Sequence, residues 1–251
     1  MSHALVTGAG SGIGAAIATT LAAAGHQVSL LGRRLEPLQQ TAAAAPASSC
    51  QSICCDVGIA EDVERAFAEA SETFGDIDVL VNCAGVAPTA PFHKLDSQQW
   101  QAVLNTNLNG VFNCTSQVIK GMRERHSGRI INIASTASLK GYAYVSAYCA
   151  AKHGVLGLTR ALALETAELG ITVNAICPGY TDTEIIRQSV QQIIEKTGRS
   201  EEQALAQFTD TNPQGRLIQP DEIAGTVLWL CSEAARSVTG QAISISGGET
   251  M

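Results

Sequence analysis

The chain alternates between two hydrophobic rhythms. Short, nearly continuous apolar runs at 4–7, 27–31, 52–55, 79–82, 129–134, 172–176 and 242–245 read as strands. Between them, apolar residues recur at helical spacing over 12–24, 35–44, 60–74, 97–125, 146–169 and 221–232. Strands that are apolar throughout are covered on both faces, so the pattern predicts an α/β fold, a doubly wound parallel sheet of the Rossmann type. Residues 1–251 read as a single domain without internal repeats. The rhythm breaks once, over 180–220, where two polar helix-like pieces replace a strand. Strand-free stretches of that length serve as lids or binding loops, so a helical insertion that takes the substrate is expected there.

Composition narrows the function. With 45% apolar and 16% charged residues the chain reads as a compact soluble protein. A net charge of -7 and the lack of a Lys/Arg run argue against nucleic acid or an anionic membrane as partner, which leaves a small molecule. Eight cysteines without a C-x-x-C pair, and five histidines that do not cluster with them, predict reduced thiols in a cytoplasmic protein and no metal site. The start, "MSHALVTGAG", runs straight into the first strand, so neither a leader nor a membrane span is expected.

The first strand-to-helix turn carries the clearest chemistry. "TGAGSGIG" (7–14) places Gly8, Gly12 and Gly14 where a tight turn, close backbone approach to a diphosphate and close helix packing are needed. The second strand ends in Gly32, Arg33 and Arg34, where an acidic residue would grip a ribose 2′-hydroxyl. Guanidinium groups suit a 2′-phosphate, so NADP(H) is preferred; NAD(H) is the alternative if the arginines only solvate the next helix. Asp56, in "CCDVG", falls where an adenine amino group can be met, and "NCAG" (82–85) lies at the carboxyl edge of the sheet. In "SAYCAAK", Tyr148 and Lys152 stand four apart and share a helix face, a spacing that many surface helices also show.

Taken in order, "TGAGSGIG", "NCAG", "NTNLNG", "IINIAS", "YCAAK" and "CPGYTDT" resemble the short-chain dehydrogenase/reductase family, and "GRLIQPDEIA" and "SISGG" extend the likeness over essentially the whole chain. The resemblance implies an NAD(P)(H)-dependent oxidoreductase that interconverts a ketone and a secondary alcohol. It implies a catalytic tetrad of Asn107, Ser135, Tyr148 and Lys152, with Asn109 the weaker candidate for the asparagine; Ser135 precedes Tyr148 by the family's 13 residues. Tyr148 is then the acid/base, Ser135 a donor to the substrate oxygen, Lys152 a holder of the nicotinamide ribose, and Asn107 the support of a proton-relay water. Cofactor contacts follow at Gly8, Ser11, Gly12, Ile13, Gly14, Val57, Asn82, Ala84, Gly85, Pro178, Gly179, Thr181 and Thr183, besides Arg33, Arg34, Asp56, Tyr148 and Lys152. Cys83 departs from the family, which has a second asparagine there; the backbone turn is expected to survive the change.

A free phenol has a pKa of about 10. A cation about 4 Å away at an effective dielectric of about 20 is worth roughly 4 kcal/mol, so Lys152 is expected to bring Tyr148 toward neutrality. Tyr142 and Tyr144 read as walls of the substrate pocket. Lys94, Lys140, Arg187 and Arg199 either meet the phosphates of a thioester carrier or are simply solvated. The leading reading is an NADPH-dependent reductase of a 3-oxoacyl thioester or related cyclic ketone. The alternatives are an NAD-dependent dehydrogenase of a 3-hydroxyacyl-CoA or hydroxy acid, and a non-catalytic nucleotide sensor. The resemblance also implies a homotetramer.

Overall fold

The computed structural model describes residues 2–250. Strands β1 (His3–Thr7), β2 (Gln27–Gly32), β3 (Cys50–Cys54), β4 (Ile77–Asn82), β5 (Gly128–Ile133), β6 (Ile171–Pro178) and β7 (Ala242–Ile245) form one sheet in the order β3-β2-β1-β4-β5-β6-β7. Every pairing is parallel. The helices are α1 (Gly12–Ala23), α2 (Leu35–Ala43), α3 (Ala60–Phe74), α4 (Ser97–Leu104), α5 (Gly110–Arg125), α6 (Ser146–Thr166), α7 (Glu184–Thr197), α8 (Glu201–Thr209) and α9 (Pro220–Cys231). Each expected strand is found, its ends moved by at most two residues.

The two cores follow from strand geometry, because successive side chains point to opposite faces. Ala4 and Val6 meet Ile17 and Leu21 of α1 and Val227 of α9, while Leu5 between them meets Phe67 of α3 and Met122 of α5. The same split separates Val81 from Leu80 and Ile131 from Ile130. All eight residues of β6 are buried, Thr172 and Asn174 included, as befits a strand covered on both faces.

One expected helix differs. The stretch 97–125 is not continuous: α4 and α5 are joined by a π-helical turn over Asn105–Asn109. The cause is local. Asn107 turns its amide back onto the Val103 carbonyl at 2.9 Å and across to the Val86 carbonyl at 2.9 Å, and Gly110 lets the chain press on Val57, where a Cβ would lie 2.7 Å from Cγ2. Apolar periodicity reads through such an insertion because the helix resumes on nearly the same face. π-turns of this kind recur at functional sites.

The strand-free insertion holds α7 and α8. Its two ends are pinned together: Thr181 bridges Ile218, Asp182 N–H donates to the Ile218 carbonyl at 2.8 Å, and Ile218 N–H donates to the Tyr180 carbonyl at 2.9 Å. Beyond that neck the insertion is lightly packed, with Val190 the buried residue of α7 and Ala204 that of α8.

Candidate active site

The sheet reverses its winding between β1 and β4, and the crevice at the carboxyl ends of such a pair is where these folds take ligands. Thr7 Oγ1 stitches the two strand ends by accepting from the N–H groups of Cys83 and Ala84, both at 3.0 Å. The turn that follows requires glycine. Gly8 has φ 68°, and a Cβ there would lie 2.9 Å from the Ala84 Cα; a Cβ on Gly14 would lie 2.2 Å from the Gly8 carbonyl oxygen. Ser11 precedes α1 in extended conformation without a side-chain capping bond, so the amides of the first turn remain open to a ligand.

A cleft of about 160 Å³ opens in front of this turn, and Gly8, Ser11, Arg33, Arg34, Asp56 and Gly85 line it. Val57 and Ala84 complete the predicted lining. Arg33 and Arg34 are exposed and, among the described residues, form no ion pair. Asp56 Oδ1 accepts from Gly58 N–H at 2.9 Å, which holds the carboxylate at the rim. Open helix-end amides, a cradle that any Cβ would fill and two free guanidiniums fit the diphosphate and 2′-phosphate of a dinucleotide. Leu38 and Thr106 also line the cleft. Leu38 reads as an ordinary helix residue, and Thr106 lies within "NTNLNG" without a feature that singles it out.

Thr183 packs against the glycine turn, its Cγ2 at 3.0 Å from where a Gly12 Cβ would stand. Pro178 ends β6, Gly179 N–H donates to the Ile245 carbonyl at 2.9 Å, and Thr181 Oγ1 donates to the Gly179 carbonyl at 3.0 Å, so this loop is fixed beside the crevice. Ile13 packs into the core and Gly14 is buried. Asn82 does not reach the cleft: its buried amide donates to Asn132 Oδ1 at 2.9 Å and to Thr115 Oγ1 at 3.3 Å, beneath the site. Cys83 leaves the turn intact because main-chain N–H groups hold it; burial pushes its thiol up to about 12.

Ser135 follows β5 and caps a short 3-10 turn, its Oγ accepting from Ala137 N–H at 3.1 Å. Tyr148 lies in the first turn of α6 and Lys152 one turn later, so β5, its loop and α6 bring the three together. Lys152 is 4% exposed. Its Nζ donates to the Ile133 carbonyl at 2.8 Å and stands 5.6 Å from the centre of the Tyr148 ring. Asn107 is fully buried and also accepts from Val86 N–H at 3.2 Å, so its side chain is committed to the main chain around it and holds the loop after β4.

The electrostatics correct one expectation. Lys152 does not bring the phenol toward neutrality; burial pushes Tyr148 up to about 12, and the facing Ser135 hydroxyl is the neighbour that draws it back down. Burial likewise lowers Lys152 to about 8. Desolvation outweighs the pairwise attraction for both groups because the ammonium spends its short contact on a neutral carbonyl. The phenol is therefore protonated at neutral pH, the state required of a proton donor to a carbonyl.

A second cavity, of about 480 Å³, adjoins the first, and the two share Gly85 and Val86 as a common wall. Val103, Val145, Ala147 and Ile185 make it apolar, and among the described residues no cationic side chain lines it. Tyr144 is one wall, as expected, held in a left-handed conformation (φ 68°) with its carbonyl accepting from Ala90 N–H at 2.8 Å. Tyr142 turns elsewhere and donates to Glu249. Two of the four basic loop residues are already paired, Lys140 with Glu249 at 3.1 Å and Arg187 with Asp182 at 3.0 Å.

Comparison with known proteins agrees with this geometry. Residues 2–194 match the family model described as short chain dehydrogenase. The chain is 44% identical to an acetoacetyl-CoA reductase of Shinella zoogloeoides, covering 98% of this chain and 97% of the relative. It is 42% identical to a putative ketoacyl reductase of Streptomyces coelicolor, covering 98% and 95%. The crystal structure of a variant of actinorhodin polyketide ketoreductase with NADPH superposes with a TM-score of 0.94 at 40% identity, over 99% of this chain and 97% of that one.

Proposed function

We propose that this chain, which belongs to the short chain dehydrogenase family and is an NAD(P)(H)-dependent ketone/alcohol oxidoreductase, reduces 3-oxoacyl thioesters or related cyclic ketones with NADPH. The carrying observation is the shared wall at Gly85 and Val86: a glycine-lined cleft with two free arginines opens onto an apolar cavity lined by Ala147, the residue before Tyr148. The Gly8–Gly14 turn and the start of α1 would hold a diphosphate, Arg33 and Arg34 a 2′-phosphate, Asp56 the adenine edge, and Thr183 the end nearest the ketone. The dinucleotide, when bound, supplies the hydride.

The chain's own residues then govern the proton and the orientation. Tyr148 gives its phenolic proton to the carbonyl oxygen, and Ser135 donates to that oxygen as negative charge grows on it. Lys152, anchored on Ile133, keeps a cation beside the reacting centre and meets the ribose. Asn107 and the π-turn hold the Val86 wall in place. The insertion between Tyr180 and Ile218 covers the substrate, with Ile185 of α7 in the cavity lining.

The cavity also bears on substrate class. A free 3-oxo or 3-hydroxy acid brings a carboxylate, and the lining offers it no cation, whereas the acyl end of a thioester, or a cyclic ketone, is neutral. Initial rates with NADPH and NADH on acetoacetyl-CoA and on free acetoacetate test both halves. Faster turnover with NADPH and with the thioester is expected; NADH as the better donor removes the cofactor assignment, and preference for acetoacetate removes the substrate class. Exposed apolar side chains on three helices, Phe112 of α5, Leu164 of α6 and Trp229 of α9, support a homotetramer, which light scattering would measure. Eight free thiols support a cytoplasmic location.

A further inference from the structure

Glu249 stands two residues from the end of the chain, yet its side chain is 1% exposed. A carboxylate is held away from water only where partners replace its hydration. Here Oε1 accepts from Tyr142 Oη at 2.5 Å and pairs with Lys140 Nζ at 3.1 Å. Lys140 Nζ also lies 4.9 Å over the Tyr142 ring. The other oxygen, Oε2, sits 3.1 Å from where a Gly179 Cβ would be, so a side chain there would crowd it.

The turn that delivers Glu249 is specific to that end. Gly247 and Gly248 have φ 61° and 95°, and a Cβ on Gly247 would lie 2.0 Å from Asn212 Oδ1. The C-terminal segment thus passes over the far end of the insertion and reaches the loop after β5. The loop bearing Lys140 and Tyr142 and the turn at Gly179 meet at this carboxylate, and the turn before it packs at Gly247 on Asn212 of the insertion.

That convergence is tied to the loop that carries Ser135. Tyr142 Oη is also bonded to Thr136 Oγ1 at 2.6 Å, and Thr136 follows Ser135 directly. The Tyr142 ring stands edge-on to Tyr180 at 6.2 Å, and Tyr180 edge-on to Phe208 of α8 at 5.1 Å. An aromatic wall therefore runs from the loop carrying Ser135 to the insertion, with the Glu249 carboxylate anchoring its first member.

We propose that Glu249 is a positioning residue for the ketone: through Tyr142 and Lys140 it fixes the aromatic wall and the Ser135 loop that orient the substrate beside Tyr148. This rests on the reading of Ser135 and Tyr148 as the reacting site. Neither atom of the carboxylate touches the reacting centre, so Glu249 acts on alignment and not on the proton or the hydride.

The test uses the full-length enzyme, acetoacetyl-CoA as the ketone, NADPH binding by fluorescence titration, and the enantiomeric ratio of the 3-hydroxy product. Glu249→Ala is expected to raise the KM for acetoacetyl-CoA about tenfold or erode the enantiomeric ratio several-fold, with the NADPH Kd within twofold of the parent. Glu249→Gln keeps an acceptor for Tyr142 and is expected to restore the ratio to within about threefold. If KM and ratio stay at the parent values, the proposal is overturned. It is equally overturned if ketone KM, NADPH Kd and melting temperature all worsen together, since that is general destabilisation. Should Glu249→Ala not fold, Tyr142→Phe, which keeps the ring and removes the bond, carries the same two criteria. Tyr148→Phe in parallel separates the layers: retained turnover there removes the underlying site, whereas an inactive Tyr148→Phe beside an unaltered Glu249→Ala removes this proposal alone.

Discussion

The Lys152 ammonium donates to the Ile133 carbonyl at 2.8 Å, not to the phenol one helical turn before it. That carbonyl belongs to the last residue of β5, so the lysine ties the end of α6 that bears Tyr148 to the carboxyl edge of the sheet. The same contact leaves Tyr148 governed by burial and by Ser135, with its phenol held protonated well above neutral pH.

Removing the proton donor should stop chemistry and spare binding. Tyr148→Phe is expected to lower kcat by about 10²–10⁴-fold, the usual worth of a positioned acid. The NADPH Kd, read by fluorescence titration, should stay within about twofold of the parent because the glycine turn and arginines are untouched; a loss of NADPH binding in step with kcat would count against the assignment.

Lys152 should trade stability for function. Its pKa in the fold, about 8 against 10.5 ordinarily, is depressed, so the folded state opposes the charge. Below about pH 8 the lysine is charged both folded and unfolded, and the full burial cost of roughly 3 kcal/mol applies; between about 8 and 10.5 the folded lysine sheds its proton and the cost is relieved. Lys152→Met should therefore stabilise the protein near pH 7 by on the order of 1–2 kcal/mol, after the loss of the Ile133 contact, while abolishing activity. The gain should shrink by pH 10. Urea midpoints at the two pH values measure it, and a gain that grows with pH contradicts the argument.

Arg33 and Arg34 should set cofactor choice. Charge-assisted bonds to a phosphate are worth about 1.5–3 kcal/mol, or roughly ten- to a hundredfold in binding. The double variant Arg33→Ala, Arg34→Ala is expected to raise the KM for NADPH by that factor and leave the KM for NADH within about threefold. Equal effects on the two cofactors would show that the arginines do not meet the 2′-phosphate.

Gly14 should be intolerant of any side chain. A Cβ 2.2 Å from the Gly8 carbonyl oxygen forces the first turn of α1 away from β1. Gly14→Ala is expected to cost about 3 kcal/mol or to prevent folding. Gly157→Ala serves as the control, since a Cβ there meets nothing within 4 Å and the site is helical. Chemical denaturation of the pair decides the point.

Much of the fold is legible in the sequence because period-2 and period-3.6 patterns report burial directly, as Leu5 between Ala4 and Val6 shows. The π-turn at Asn105–Asn109 is not legible, since it arises from side-chain bonds of Asn107 to carbonyls that periodicity does not register. Within the site, Tyr148, Lys152, Ser135 and the glycine turn come from motif order. Their electrostatics do not, because a pKa depends on which carbonyl the ammonium meets. Asn82 illustrates the other limit: a strand-end asparagine reads the same whether its amide faces a ligand or, as found, Asn132 in the strand beside it. Glu249 had no signal at all, being one carboxylate in a polar tail.

The neck formed by Tyr180, Thr181 and Ile218 makes the insertion a removable part. Its two ends leave the body of the protein side by side, about 5 Å apart, so the neck itself sets no length for the chain between them. The glycine turn touches the insertion at Thr183, so helices of other lengths and sequences leave it unchanged where Thr183 is kept. If the insertion holds the substrate as proposed, substrate range can diversify by exchange of one cassette, and a graft over 184–209, which keeps Thr183 against the glycine turn and Asn212 beneath Gly247, is the natural unit for redesign.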